Sequence, residues 1–151
     1  MLRQRLSEAL KEAMKSRDER ATATVRLILA ALKDRDIAAR TRGKTDGVED
    51  DEILGLLQTM IKQRRESIAM FEKGGRTDLV EKEQGEIAVI ERFLPQQMSD
   101  AEMAAAVKAV VAELDIASVK DMGKAMAALK ESYAGRMDFS KANGLVRQSI
   151  G

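Results

Sequence analysis

The chain has no cysteine, no histidine and no tryptophan, and it carries a single proline, a single tyrosine and three phenylalanines among 151 residues. Each absence removes a kind of chemistry. Without cysteine there is no disulfide and no thiolate nucleophile, and without histidine the imidazole base and the commonest metal ligand are both missing. The shortage of aromatic rings leaves little on which unpaired bases could stack. With no cysteine to form a disulfide, the expected location is cytoplasmic. The segment from Met1 to Lys15 alternates charge with leucine and has no uninterrupted apolar run, so neither a signal peptide nor a membrane span is predicted.

Motifs for catalysis are equally sparse. No Gly-x-Ser-x-Gly elbow, Ser-x-x-Lys run or Gly-x-x-x-x-Gly-Lys-Ser/Thr loop occurs. Glu49, Asp50, Asp51 and Glu52 are consecutive and so spread around a helix start. Glu81, Glu83, Glu86 and Glu91 are better placed for ligation but lack the Glu-x-x-His partner of a di-metal bundle. No catalytic residue, metal or cofactor is predicted.

Charge is what the chain has in quantity: 26 basic side chains against 25 acidic ones. The near-neutral total hides an asymmetry, because residues 1–44 hold 12 basic and 6 acidic residues whereas residues 45–94 hold 7 and 12. Such a distribution fits attraction within the fold or a basic surface offered to a partner.

Apolar residues recur at helical spacing throughout. Leu2, Leu6, Leu10 and Ala13 mark a first helix ending near Ser16, and Ala21, Val25, Ile28, Leu29 and Leu32 a second, longer one whose other face carries Arg26, Lys33 and Arg40. The polar run from Thr41 to Val48 reads as a loop and as the segment most prone to disorder. Asp50 to Glu52 place negative charge at the start of a third helix, complementing its dipole, with Ile53, Leu57, Met60, Ile61 and Ile68 on one stripe and Gly74-Gly75 as its stop. Thr77 is the expected N-cap of a fourth helix, through Val80, Ile87, Ile90 and Phe93. Within these stripes stand two charged residues, Arg64 and Glu83, which an antiparallel hairpin brings opposite each other as a partly buried structural ion pair.

Pro95 divides the chain. It has no amide hydrogen and disfavours helical angles at Leu94, so the fourth helix must end there. Beyond it, Ser99 and Glu102 have the spacing of a capping box. A fifth helix follows through Met103, Val107, Val110 and Leu114, a sixth through Met122, Met126, Leu129 and Tyr133 with Ser118 as its capping signal, and a last one capped by Asp138. No alternating strand pattern occurs, so the predicted fold is all-α: a four-helix part, residues 1–94, joined through a proline hinge to a small three-helix part, residues 95–151.

Several stretches together carry a resemblance: Arg26-Leu27-Ile28-Leu29-Ala30-Ala31-Leu32-Lys33, Met60-Ile61-Lys62-Gln63-Arg64-Arg65-Glu66-Ser67, Phe93-Leu94-Pro95-Gln96-Gln97-Met98-Ser99, Lys120-Asp121-Met122-Gly123-Lys124-Ala125-Met126 and Tyr133-Ala134-Gly135-Arg136-Met137-Asp138. In their order and spacing they resemble the YqeY family, also called GatB/YqeY. The resemblance implies a stand-alone relative of the helical tail of the B subunit of glutamine-dependent aminoacyl-tRNA amidotransferase, a tail that contacts tRNA. At the family level it also implies the label of a carbon-nitrogen ligase with glutamine as amide donor, although the chain matches neither the amidase site nor the catalytic cradle of that enzyme.

The expected partners are therefore tRNA, or an amidotransferase or other protein, with no membrane contact. The candidate RNA-binding residues carried over from the resemblance are Lys120, Gly123, Lys124, Tyr133, Gly135 and Arg136, with Lys62 and Arg65 as additions. For Gly123 a packing reason competes, a close approach of the sixth helix to a neighbour, and Gly135 has one as a helix-ending residue of positive φ. The alternative function is a protein-interaction module unrelated to RNA.

Overall fold

The computed structural model describes residues 1–150, which form seven α-helices and no strand. The chain divides into two compact units, Met1–Leu94 and Pro95–Gly151.

The first unit consists of α1 (Leu2–Lys15), α2 (Glu19–Arg40), α3 (Asp50–Lys73) and α4 (Thr77–Glu91). Its apolar stripes converge on one core in which Leu6, Val25, Ile28, Ile53, Leu57 and Ile90 are fully buried. The two hairpins, α1 with α2 and α3 with α4, are its closest pairings, and α4 also packs on α2. Their corners are hydrogen-bonded stops. At the end of α3, the Arg76 amide donates to the Phe71 carbonyl (2.9 Å) and the Gly75 amide to Glu72 (3.2 Å), the paired bonds of a Schellman motif. The same pattern ends α1, where Asp18 donates to Ala13 and Arg17 to Met14 although Arg17, with φ +57°, has a side chain.

Two local expectations differ from the structure. Thr77 is the first residue of α4, not its cap; the cap position is Arg76, whose side chain instead forms a two-bond ion pair with Asp78. The Thr41–Val48 run is also anchored at its far end. Val48 is buried, its amide donates to Asp36 Oδ1 (2.9 Å) and its carbonyl accepts from Arg3 (2.9 Å). A polar composition suggested disorder because the cation and carboxylate that hold this loop lie far away in sequence, on α1 and α2.

The second unit holds α5 (Asp100–Glu113), a 3₁₀ turn (Val119–Asp121), α6 (Met122–Tyr133) and α7 (Phe139–Ile150) around a core of Met103, Val107, Ala125, Leu129, Met137 and Val146. The residues after Pro95 are tied into this unit. Gln97 Nε2 donates to the Gly135 carbonyl (2.6 Å), the Met98 amide to Arg136 (2.9 Å), and Arg136 Nε to Gln96 (3.1 Å). Ser118 stands before the 3₁₀ turn without a side-chain cap bond, so the capping role expected of it is not filled. Asp138 does cap α7, accepting from the amides of Ser140 (3.0 Å) and Lys141 (3.2 Å).

At α5 the capping box is complete. Ser99 Oγ accepts from the Glu102 amide (3.1 Å), and the Ser99 amide donates to Glu102 Oε1 (3.0 Å). That backbone bond holds the Glu102 carboxyl below its ordinary pKa. Ser99→Ala is expected to destabilise by about 1 kcal/mol, read as a lower urea midpoint, and Ser99→Asp to retain most of the wild-type value; equal losses in both would deny the cap its role.

Candidate nucleic-acid interface

Lys120 and Lys124 lie four residues apart where the 3₁₀ turn runs into α6. Both are exposed, and neither has a carboxylate within ion-pair distance among the described residues. Gly123 stands between them on the surface, and a Cβ built there meets nothing within 4 Å. The packing reason expected for this glycine is therefore absent, since no neighbouring helix approaches it. Its effect is to leave the backbone bare beside two free ammonium groups, with exposed Val119 next to them.

The other candidates in this unit have bonds to make within it. Gly135 has φ +76°, a conformation that most residues reach only with strain, and its carbonyl is the acceptor for Gln97. Arg136 is half-buried, with its guanidinium on the Gln96 carbonyl. Tyr133 packs against the core at the end of α6. These three residues build the turn that holds Gln96 to Met98. In the first unit, Arg65 is exposed and 3.8 Å from Glu91, while Lys62 is exposed on the same helix and engaged within the protein.

Arg64 has a different environment from its neighbours. Its Nε lies 2.9 Å from Glu86 Oε2 and 4.0 Å from Glu83 Oε2, and its Nη1 donates to the Met60 carbonyl (3.1 Å). The side chains are 13% exposed for Arg64, 13% for Glu86 and 19% for Glu83, so one cation is held between two carboxylates with little water. Glu86 is the hydrogen-bonding partner and was not foreseen. The signal was present, because residues three apart share a helical face and Glu86 follows Glu83 by that interval.

Among the described residues no group of three or more acids could hold a metal ion, and no helix is long and apolar enough to cross a membrane. The architecture defines a class: an all-helical, two-unit module in which the free cations lie on helix surfaces and the buried charges pair with one another. The chain belongs to the YqeY family, whose model, described as Yqey-like protein, matches residues 3–150.

Among curated relatives, "Altered inheritance of mitochondria protein 41, mitochondrial" of Lachancea thermotolerans is 36% identical over 111 residues, covering 72% of this chain and 57% of that protein. The protein of the same name from Eremothecium gossypii is 36% identical over 89 residues, covering 59% and 46%. That of Saccharomyces cerevisiae strain YJM789 is 36% identical over 87 residues, covering 58% and 45%. The chain thus spans about half the length of the curated relatives it matches. These names overturn the cytoplasmic expectation, since the relatives are named as mitochondrial proteins. The physical reason is plain: a lack of cysteine is compatible with any redox compartment and selects none.

Proposed function

We propose that this YqeY-family chain is a helical tRNA-binding module associated with tRNA-dependent amidotransferase function, with no catalytic centre of its own. The observation that carries the reading is the pair Lys120 and Lys124, exposed, free of carboxylates and set about bare backbone at Gly123. Cations in that setting can neutralise phosphates and release their counterions. The lack of exposed aromatic rings favours contact with a folded RNA surface over stacking on single strands. The lack of cysteine and histidine supports an accessory role beside an enzyme that supplies the amide chemistry.

The test is fluorescence anisotropy with a labelled, unmodified tRNA transcript over a salt series. Lys120→Ala with Lys124→Ala is expected to lower the slope of log K against log[salt] by roughly 2 and the affinity by about ten-fold or more. Absence of any binding at low salt would remove the RNA reading. A second reading, protein docking, is favoured by a groove of about 480 Å³ between α5 and α7, lined by Ala104, Val107, Val111 and Leu145. Binding of a protein there would tolerate salt and ignore the two lysines.

A further inference from the structure

The first unit carries a row of cations that the lysine pair does not account for. On α2, positions 19, 26, 33 and 40 recur every seven residues and so share one side of the helix, drifting about 20° round it at each step. The series begins at Glu19, on the first turn, and every later position is basic: Arg26, Lys33, Arg40. All three are exposed, and no carboxylate lies within ion-pair distance of any of them among the described residues. At 1.5 Å per residue the cations stand about 10 Å apart and span about 21 Å.

Two contacts fix which way this row faces. Arg26 Nη2 reaches Met14 Sδ at 4.0 Å, and Arg3 is bonded to Asp36 at 2.6 Å, so α1 runs antiparallel along the same side of α2. Met14 stands on this side of α1, and Ser7 and Lys11, both exposed, share its face by helical spacing. The acids Glu8 and Glu12 are placed otherwise and line a groove with Arg5, Phe93 and Ala13. Asp34, the exposed acid nearest to Lys33 in sequence, lies about 100° round α2 from it. Asp36 shares the side of Lys33 and Arg40 and feels the Arg40 charge, but its carboxylate is engaged by Arg3 and the Val48 amide.

The geometry points to the outer seam of α1 and α2 as a second RNA contact surface, with Lys11, Arg26, Lys33 and Arg40 tracking the phosphates of a duplex stem. The inference rests on the RNA reading above and extends it to the other unit. A regularly spaced row of cations along one side of a helix matches a rod of phosphates, which presents charge continuously along its length. Ser7 adds a hydroxyl of the kind that bonds phosphate oxygens. An anionic lipid surface would call for cations around a broad apolar wedge. Here the side chains beside the row are mostly small or polar, Thr22, Ala23 and Ala30, and the two exposed large apolar residues there, Ile37 on α2 and Met14 at Arg26, lie well apart along it and form no broad wedge.

The experiment uses the full chain and the same labelled transcript. Arg26→Gln, Lys33→Gln and Arg40→Gln together are expected to weaken binding about ten-fold or more at 100 mM salt and to lower the salt slope by roughly 2 to 3. Lys33→Glu alone is the second variant, since Lys33 has no bond within the unit whose loss could disturb folding, and it is expected to weaken binding several-fold. Unchanged affinity in both seam variants, with binding reduced by the Lys120 and Lys124 changes, overturns this inference and leaves the RNA reading in place. Loss in the seam variants alone supports the inference and removes the lysine pair as the site. Phosphatidylcholine vesicles with 30% phosphatidylserine form the control; retention as strong as that of the transcript, with the same dependence on the seam, overturns the RNA assignment of this surface.

Discussion

Arg64→Ala is expected to destabilise the first unit by about 3 to 5 kcal/mol, the range for removing one partner of a buried ion pair. The cost comes from what remains. Glu83 and Glu86 would face each other with little solvent, each having lost the cation that made its burial tolerable, and the Met60 carbonyl would lose a donor. Glu86→Gln should cost less, about 1 to 2 kcal/mol, because Arg64 keeps Glu83 and an amide oxygen still accepts its hydrogen bond. Replacing the triad together, Arg64→Met with Glu83→Gln and Glu86→Leu, should recover much of the loss, since apolar groups of similar volume need no solvation. The measurement is urea unfolding at constant slope, where a shift in midpoint reads stability alone. A loss below about 1 kcal/mol for Arg64→Ala would show that water screens these carboxylates and that the pair behaves as a surface one.

The triad also shows how far charge placement can be read without coordinates. Arg64 and Glu83 stood out because each interrupts an apolar stripe, and a charge on a core-facing line must have a partner. The stripe gives the face but not the axial offset of two helices, and a displacement of one turn decides between Glu83 and Glu86. That offset comes from side-chain interlocking across α3 and α4, which helical periodicity does not encode. Helix positions were legible for the same reason that the offset was not. Periodicity, the capping box at Ser99 and the single proline are local signals, whereas the anchoring of Val48 depends on Arg3 and Asp36, which lie far from it in the chain.

The candidate interface was legible only in part. Lys120 and Lys124 could be named from their motif, but so could Tyr133, Gly135 and Arg136, and the structure gives those three bonds and packing inside their own unit. A cation in a sequence carries no record of whether a carbonyl or carboxylate has claimed it. Arg26, Lys33 and Arg40 show the converse. Their spacing already puts them on one face of the second helix in the sequence, and what the structure adds is the side of α2 on which α1 packs.

Asp36→Ala is expected to cost about 2 kcal/mol near neutral pH, the scale of hydrogen bonds to a charged group. Its carboxylate accepts from Arg3 Nη1 (2.6 Å), Arg3 Nη2 (3.0 Å) and the Val48 amide (2.9 Å), joining α1, α2 and the loop before α3. Gly47 is part of the same joint: at φ +93°, a Cβ there would fall 2.8 Å from both Arg3 Nη2 and Asp36 Oδ1, so Gly47→Ala should disturb it as well. The Arg3 guanidinium, and after it the Val48 amide, hold the Asp36 carboxyl below its ordinary pKa against the opposing effect of burial. A carboxyl depressed in the folded state stabilises fully above its unfolded pKa, about 3.9, and the contribution disappears as pH falls through the folded value. The difference in unfolding free energy between wild type and Asp36→Asn should therefore be constant from pH 7 to pH 5 and shrink steadily below pH 4. Asparagine can still accept from Val48, so Asp36→Asn should be less damaging than Asp36→Ala at neutral pH, and because neither residue titrates the gap between the two variants should stay the same in acid. A wild-type advantage that persists undiminished at pH 2 would mean that the joint is held by packing of Val48, with the ion pair contributing nothing.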